Sequence, residues 1–435
     1  MHEFASPCRS WSAITVTAIL ISCSTVPALA CSGDCDDDCQ VDVAEIVTGI
    51  RIALGEAAIG TCLNFDGDLS GAVEVHEIVS AVDAALNGCS ERFAFAAARS
   101  FATGDSPRAL AVGDFNGDGW LDVAAANHIS HDVSVLLHNT TDGFVAERRF
   151  AVGTIPLGIV VADFNGDLHA DIATVNGGSG DVSILLGHGD GTFAANTRFS
   201  AGQGARSIIA VDIDANGSTD LIVAAPGSTG IPLLLGRGDG AFDRIVIGAG
   251  FRPWWVAHGD VTGDGVPDLV TANAETNDVT ILAGLAASGF VGHSRIAIAA
   301  APYSVALADV TGDGAADLFT GNGNDASVTL LRGASGGTFA APERIEMGDG
   351  PFPVHVVDID ADGHADILTA NEFSGDVSIR LGNGDGSFGI DQRIALGPTL
   401  FALVAADIDR DGALDLIAAS GSRNEIILRL ARHCP

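Results

Sequence analysis

The sequence predicts an all-β seven-bladed β-propeller preceded by a small all-α module, and three observations carry that expectation. A nine-residue pattern that begins and ends in Asp starts at Asp114, Asp163, Asp212, Asp260, Asp309, Asp358 and Asp407, at intervals of 49, 49, 48, 49, 49 and 49 residues. So regular a period marks a repeat architecture. Each unit also carries four short apolar runs, enough for the four strands of one blade. In the first unit one run leads into the Asp loop, Leu121 to Ala126 follow it, Val133 to Leu137 precede a Gly-rich turn, and a fourth run follows the turn. The third observation is a displaced phenylalanine. Phe144, Phe193, Phe242, Phe290, Phe339 and Phe388 each lie 18 or 19 residues before the next Asp loop, and the missing seventh counterpart is matched by Phe95, 19 residues before Asp114. The outer strand of the last blade is therefore expected at the start of the domain, with the segment around Phe95 pairing near Ile426 to Leu430. Such a join removes the exposed edges of an open array, whereas an open solenoid would show capping repeats.

Three segments follow: 1–30 as an export signal, 31–89 as the small helical module, and 90–435 as the propeller. The first has Arg9 in a short leading region, an apolar stretch from Ala13 to Ile21, and Ala28-Leu29-Ala30 as a small-residue cleavage site. That stretch is too short to span a bilayer. Leu20-Ile21-Ser22-Cys23 offers a competing reading as a lipoprotein box with Cys23 lipidated, so secretion and cell-surface anchoring both stay open. Cleavage after Ala30 leaves Cys31, Cys35, Cys39, Cys62, Cys89 and Cys434, an even number that in an exported protein implies disulfides of undetermined pairing. A zinc site at Cys31, Cys35 and Cys39 is disfavoured, because no His follows at ligand spacing.

The formal charge is −35, from 56 acidic against 21 basic residues, and Lys is absent. Nucleic acid and anionic membrane both need a positive footprint, so neither is expected as a partner. The Asp residues stand in ordered spacing, which favours cations.

The loops read DFNGDGWLD, DFNGDLHAD, DIDANGSTD, DVTGDGVPD, DVTGDGAAD, DIDADGHAD and DIDRDGALD. Oxygen-bearing side chains fill positions 1, 3, 5 and 9. They are Asp114, Asn116, Asp118 and Asp122; Asp163, Asn165, Asp167 and Asp171; Asp212, Asp214, Asn216 and Asp220; Asp260, Thr262, Asp264 and Asp268. The last three loops supply Asp309, Thr311, Asp313 and Asp317; Asp358, Asp360, Asp362 and Asp366; and Asp407, Asp409, Asp411 and Asp415. A calcium ion takes six to eight oxygens from alternate inward side chains and a position-7 carbonyl, and this spacing supplies them. Gly at position 6 permits the sharp turn, except in the second loop, which has Leu168. Plain Asp-Gly turns could explain one or two loops, but seven clusters of like charge repel unless a cation sits among them. Ligand charge ranks the sixth and seventh loops tightest and the second weakest, and magnesium, which prefers rigid octahedra retaining water, fits less well.

The 49-residue units, their D-x-[DNT]-x-[DN]-G-x-x-D loops and their G-D-G-x-F turns resemble FG-GAP/VCBS repeats, the propeller also found in integrin α-subunits. The resemblance covers roughly residues 91 to 435. It implies cation sites on one face and partner binding on the other, and it implies no reaction.

Ahead of the propeller, Asp34, Asp36, Asp38, the Gln40 carbonyl, Asp42 and Glu45 stand at EF-hand positions 1, 3, 5, 7, 9 and 12, with Cys39 where Gly is usual. Asp66, Asp68, Ser70, the Ala72 carbonyl, Glu74 and Glu77 repeat the set and keep Gly71. The amphipathic stretches EIVTGIRIAL and EIVSAVDAAL follow. Together they resemble a dockerin-type EF-hand pair. Dockerins dock through loop positions 10 and 11, which here are Val43-Ala44 and Val75-His76 rather than hydroxyl-bearing residues, a departure that leaves cohesin binding open. Calcium is thus expected at up to nine sites, seven plus two.

Other motifs have plainer readings. Arg237-Gly238-Asp239 occupies the variable position of a recurring GxGDG turn, and Gly333-Ala334-Ser335-Gly336-Gly337 lies in the same turn, without the strand-to-helix context of a nucleophile elbow. His169 and His364 fall at loop position 7, where only the carbonyl serves, and are expected to face solvent. One constellation remains: Arg108, Leu157, Arg206, Trp254, Tyr303, Phe352 and Phe401 stand six residues before each loop, at the start of each innermost strand. Packing between blades would account for them. The functional reading is a cup at the end of the ring away from the Asp loops, and the integrin resemblance implies aromatic residues there around a partner's basic side chain. Arg108 and Arg206 depart from that pattern toward an anionic or mixed partner. The expected function is a non-catalytic adhesion and recognition scaffold for an extracellular protein or glycan. The alternative is a glycan-active propeller, a lectin or a polysaccharide lyase, although no general base with a charge stabiliser stands out.

Overall fold

The computed structural model describes residues 43–53, 94–139, 143–248, 252–285, 289–298 and 300–432. Two compact units emerge, Met1–Ala96 with Arg432–Pro435, and Ala97–Ala431. The first contains the helix Val43–Ala53, which covers most of EIVTGIRIAL and buries Ile52. Glu45 falls in this helix. The other residues read as EF-hand-type ligands (Asp34, Asp36, Asp38, Asp42, Asp66, Asp68, Ser70, Glu74 and Glu77), the segment read as an export signal with Cys23, and Cys31, Cys35, Cys39, Cys62, Cys89 and Cys434 lie outside the described residues. No described helix is long and apolar enough to cross a membrane.

The second unit consists of seven four-stranded antiparallel sheets, one per repeat. In the second repeat they are Pro156–Ala162, Asp171–Asn176, Asp181–Leu185 and Thr197–Ser200, innermost to outermost. The first strand leads into the Asp loop and the loop's last Asp opens the second strand, as the apolar runs foretell. The second strands are buried along their whole length, as in Asp122–Asn127 and Asp366–Asn371, because each sheet is covered on both faces by its neighbours. The core accordingly lies between blades. One cluster joins Ala124, Val133 and Val135 of the first blade to Ile159, Ile172 and Leu185 of the second, and equivalent clusters recur around the unit.

The periodic phenylalanine acts as a staple between neighbours. Phe193 of the second blade meets Phe115, at position 2 of the first loop, edge-on at 5.6 Å, and Phe242 meets Phe164 in the same way at 5.8 Å. The turn just before it reinforces the join, since Gly191 N–H donates to the Phe115 carbonyl and Gly240 N–H to that of Phe164.

The seventh sheet is composite. Leu400–Ala406, Asp415–Ser420 and Glu425–Arg429 come from the end of the chain, and the outer strand is Arg99–Ala102. Its register pairs Arg99 with Leu428, Ser100 with Ile427, Phe101 with Ile426 and Ala102 with Glu425. The closing strand therefore lies just past Phe95, which sits on a separate short strand, Ala94–Phe95. That short strand is itself paired with Ala431–Arg432, so the periodic Phe stands at or just before the start of the outer strand, as Phe242 and Phe290 do in their own blades. An apolar cluster of Val123, Ala125 and Leu136 with Ile408, Ile417, Ile426 and Leu428 joins the last blade to the first.

Candidate metal loops and a candidate binding cup

Each loop is built around its two terminal aspartates. At position 1, Asp114 accepts N–H bonds from Gly117 at 2.7 Å and Gly119 at 2.8 Å, one on each oxygen. The last residue needs a left-handed backbone, with φ near +85° at Gly119. Leu168 adopts the same conformation at φ +69° and still donates to Asp163 at 2.8 Å, with its side chain 91% exposed. A left-handed leucine is strained and gains nothing here from packing, so Leu168→Gly is expected to stabilise the protein by about 1 kcal/mol. Thermal unfolding measures it, and an unchanged or lower Tm would count against strain at this turn.

At position 9, Asp122, Asp171, Asp220, Asp268, Asp317, Asp366 and Asp415 are all fully buried. Each accepts at least two backbone N–H groups, one from loop position 2 and one from sixteen residues further on, and Asp268 accepts a third from Thr262 at 2.7 Å. For Asp366 these are Ile359 at 2.8 Å and Gly382 at 2.7 Å; for Asp415, Ile408 at 2.8 Å and Ala431 at 2.7 Å. The residue read as a ligand thus also ties the loop to the end of the third strand. Burial pushes Asp122 and Asp171 up to about 6 and Asp366 and Asp415 up to about 7, against the pull of the two N–H donors and with help from nearby loop carboxylates.

Position 5 accepts the position-7 N–H in every loop, as Asp118 does from Trp120 at 2.8 Å and Asp411 from Ala413 at 2.8 Å. Where position 3 is Asp, carboxylate oxygens of positions 1, 3 and 9 lie within 4.8 Å of one another: Asp212, Asp214 and Asp220; Asp358, Asp360 and Asp366; Asp407, Asp409 and Asp415. The third loop thus gathers the same three positions as the sixth and seventh. Elsewhere position 3 is neutral. Asn116 and Asn165 bridge to Asp118 and Asp167, each at 2.9 Å, Thr311 meets Asp309 at 3.3 Å, and the Thr262 hydroxyl is buried with no hydrogen-bond partner. Hard oxygen donors converging on a buried carboxylate, together with an unpartnered hydroxyl at a ligand position, fit a calcium-sized cation.

The start of each innermost strand is the opposite end of the blade, about 20 Å away at 3.3 Å per residue over a seven-residue strand. There Arg108, Leu157, Arg206, Trp254, Tyr303, Phe352 and Phe401, one from each blade, line a single cavity of about 230 Å³. Two backbone devices aim six of them. In the first, second, sixth and seventh blades the ladder slips at this residue. Pro107 and Ala109 pair with Asn127 and Ala126 and leave Arg108 out, and Leu400 and Ala402 leave out Phe401 in the same way. A bulge of this kind turns a side chain out of the sheet. Two residues earlier the backbone is left-handed at Ser106, Ile155, Gly204, Arg252, Gly350 and Thr399. The β-branched Ile155 and Thr399 make this costly.

Inside the cup, the Arg108 guanidinium lies 3.4 Å from the Phe401 ring centre and that of Arg206 3.7 Å from Trp254. Trp254 meets Tyr303 edge-on at 4.7 Å, Trp255 meets Phe352 at 5.3 Å, and Asn324 donates to the Tyr303 hydroxyl at 3.0 Å. Burial lowers both guanidinium pKa values, opposed by Glu372 at Arg108 and by Tyr303 at Arg206, and burial raises that of Glu372. Sequence reading missed a second layer of lining residues, Gly323, Asn324, Glu372 and Phe373, from the turn after the second strand. Their signal was the residue following the recurrent strand-end Asn. At that place Gly177, Gly323 and Gly421 make room, since a Cβ would fall 2.7 Å from Leu157, 3.1 Å from Tyr303 and 2.3 Å from Phe401.

The remaining motifs stay structural. Arg237 is paired with Asp243, and Gly333–Ala334 and Thr338–Phe339 form a small hairpin. His169 and His364 are exposed.

Seven four-stranded sheets that close through a shared last blade, each with an Asp loop at one end, define a repeat-built β-propeller. The chain belongs to the FG-GAP-like repeat family, whose model matches residues 79–125, 114–174, 163–223, 212–271, 260–320, 309–369 and 358–418. No curated protein matches it. Among solved structures, BBS1N from its complex with ARL6DN is similar at TM-score 0.56 and 12% identity, over 78% of this chain and 97% of that one. A putative 6-phosphogluconolactonase from Bacteroides fragilis is similar at TM-score 0.54 and 14% identity, over 69% and 87%. An Agrocybe aegerita lectin specific for non-reducing terminal N-acetylglucosamine reaches TM-score 0.46 at 19% identity, over 66% and 80%. At such identities the first two show the fold alone, and nothing is drawn from the third.

Proposed function

We propose that this FG-GAP propeller is an exported, non-catalytic recognition scaffold, with calcium in its blade loops as a structural ion and the central cup as its binding site. The observation that supports this most directly is that all seven blades turn one side chain into a single cavity, four of them with a left-handed non-glycine residue two positions earlier. In the loops, the side chains at positions 1, 3, 5 and 9 would hold the ion, which when bound supplies charge neutralisation at buried carboxylates. The dockerin-like module, with up to two further calcium ions, would attach the propeller to a larger extracellular assembly, and the partner in the cup is an extracellular protein or glycan.

The test uses the calcium-loaded full chain on a glycan array and a panel of extracellular proteins. Trp254→Ala with Tyr303→Ala is expected to abolish capture, with Tm within a few degrees of the parent, since both side chains line an open cavity. Capture that survives the double variant removes the cup. An assay for unsaturated sugar products is expected to be blank, and turnover there would instead establish the lyase reading.

A further inference from the structure

The cup is charged against the trend of the chain. The sequence carries −35, yet the cavity holds Arg108 and Arg206 against one carboxylate, Glu372. Several arginines elsewhere meet carboxylates, as in Arg149 with Asp132 at 2.6 Å, Arg252 with Glu275 at 2.6 Å and Arg393 with Asp391 at 3.0 Å. Among the described residues, no ion pair includes Arg108 or Arg206. Both guanidiniums lie against aromatic rings instead. Stacking engages the face and leaves the N–H edge for a planar anion, which a guanidinium binds in a bidentate fork. Two donors in the cup, Arg108 Nε and Trp254 Nε1, are buried with no hydrogen-bond partner. Such groups favour a ligand that satisfies them.

Building on the reading of the cup as the recognition site, we propose that it takes a sugar acid, a compact hydroxylated ring bearing one carboxylate. The carboxylate meets the edges of Arg108 and Arg206, and the hydroxyls meet Trp254 Nε1, Tyr303 and Glu372. Size supports this: about 230 Å³ is below the range of drug-sized pockets and holds one ring rather than a folded segment. Polarity supports it too. An acidic peptide side chain would satisfy the guanidiniums but has no hydroxyl to donate to Glu372. The aromatic walls of Trp255 and Phe352 suit the apolar C–H face of a sugar ring.

The test is calorimetric titration of the calcium-loaded full chain with methyl glucuronide, methyl glucoside and N-acetylglutamate amide. Methyl glucuronide is expected to bind at least ~10-fold more tightly than either of the others. Arg108→Gln and Arg206→Gln, which keep the stem and remove the charge, are each expected to weaken it by roughly 10- to 100-fold, the worth of a charged hydrogen bond. Equal binding of the glucoside overturns the carboxylate assignment and leaves the cup in place. Equal binding of N-acetylglutamate amide overturns the sugar. Binding of none of the three overturns the proposal, while the cup itself is judged separately by the Trp254 and Tyr303 variant.

Discussion

In excess chelator, the Tm of this propeller is expected to fall by about 10 °C or more relative to millimolar calcium. An ion held a hundred-fold above its dissociation constant contributes about 2.7 kcal/mol per site. The three loops whose carboxylates already converge would together contribute about 8 kcal/mol on that basis. At an unfolding entropy of about 2.1 cal/mol/K per residue, a unit of this length shifts by roughly 1.4 °C per kcal/mol, which gives the stated fall from those loops alone. The pH dependence in chelator has a definite sign. Asp122, Asp171, Asp366 and Asp415 have folded pKa values raised to about 6 or 7, above the unfolded value of about 3.9. Their contribution is fully present below pH ~4 and is lost as pH rises through 6 to 7, because the charged form is the one that burial penalises. The exposed Asp167 and Asp309, whose values are lowered, act only below that window. His355, held at about 4 by burial, and His128, His138 and His258, also lowered by burial, oppose the trend, since they favour the fold as pH rises, but the four carboxyls outweigh them. Metal-free protein should therefore melt higher at pH 5 than at pH 8, and calcium should flatten or reverse the trend. Coincident melting curves with and without calcium across this range would discard the metal from the loops.

Deleting residues 97–102 is expected to have the second large effect. It removes the outer strand of the seventh blade and exposes the edge of Glu425–Arg429, which is otherwise paired with Arg99–Ala102. It also removes Phe101, which meets Phe144 edge-on at 5.2 Å and packs against the cluster joining the first and last blades. The seam loses the strand that completes the last blade, although Arg410 over the Trp120 ring, at 4.6 Å, would still bridge the adjacent loops. An unpaired edge of this kind templates association with other chains. The deletion should therefore melt at least ~10 °C lower and form higher-order species in sedimentation. A monomer with the parent Tm would show that closure contributes nothing.

Much of the fold was legible because its signals are local and repeated. The Asp loops, the alternating runs and the hairpin Phe each recur near 49 residues, so a reading mistaken in one unit is corrected by six others. Where the reading went astray, the cause was geometric. The segment around Phe95 does pair with the end of the chain, but in two pieces, and the strand that faces Glu425 to Leu428 begins at Arg99. The position-9 aspartates read as ligands, but nothing local shows that Asp366 also accepts from Gly382, sixteen residues away and across the sheet. The cup residues were found by counting back from each loop. Glu372 and Asn324 were missed because they follow a different strand and reach the cavity only when the blades are assembled.

The sequence by itself determined the number of blades, the chemistry of the loops and the splitting of one blade between the two ends, since each is written as a period or a break in one. Only the tertiary structure decided that seven distant positions share one cavity, and that two arginines there lie on aromatic rings. The physical reason is that a repeat specifies what each blade presents, whereas charge balance and hydrogen-bond satisfaction depend on the neighbours that ring closure brings together.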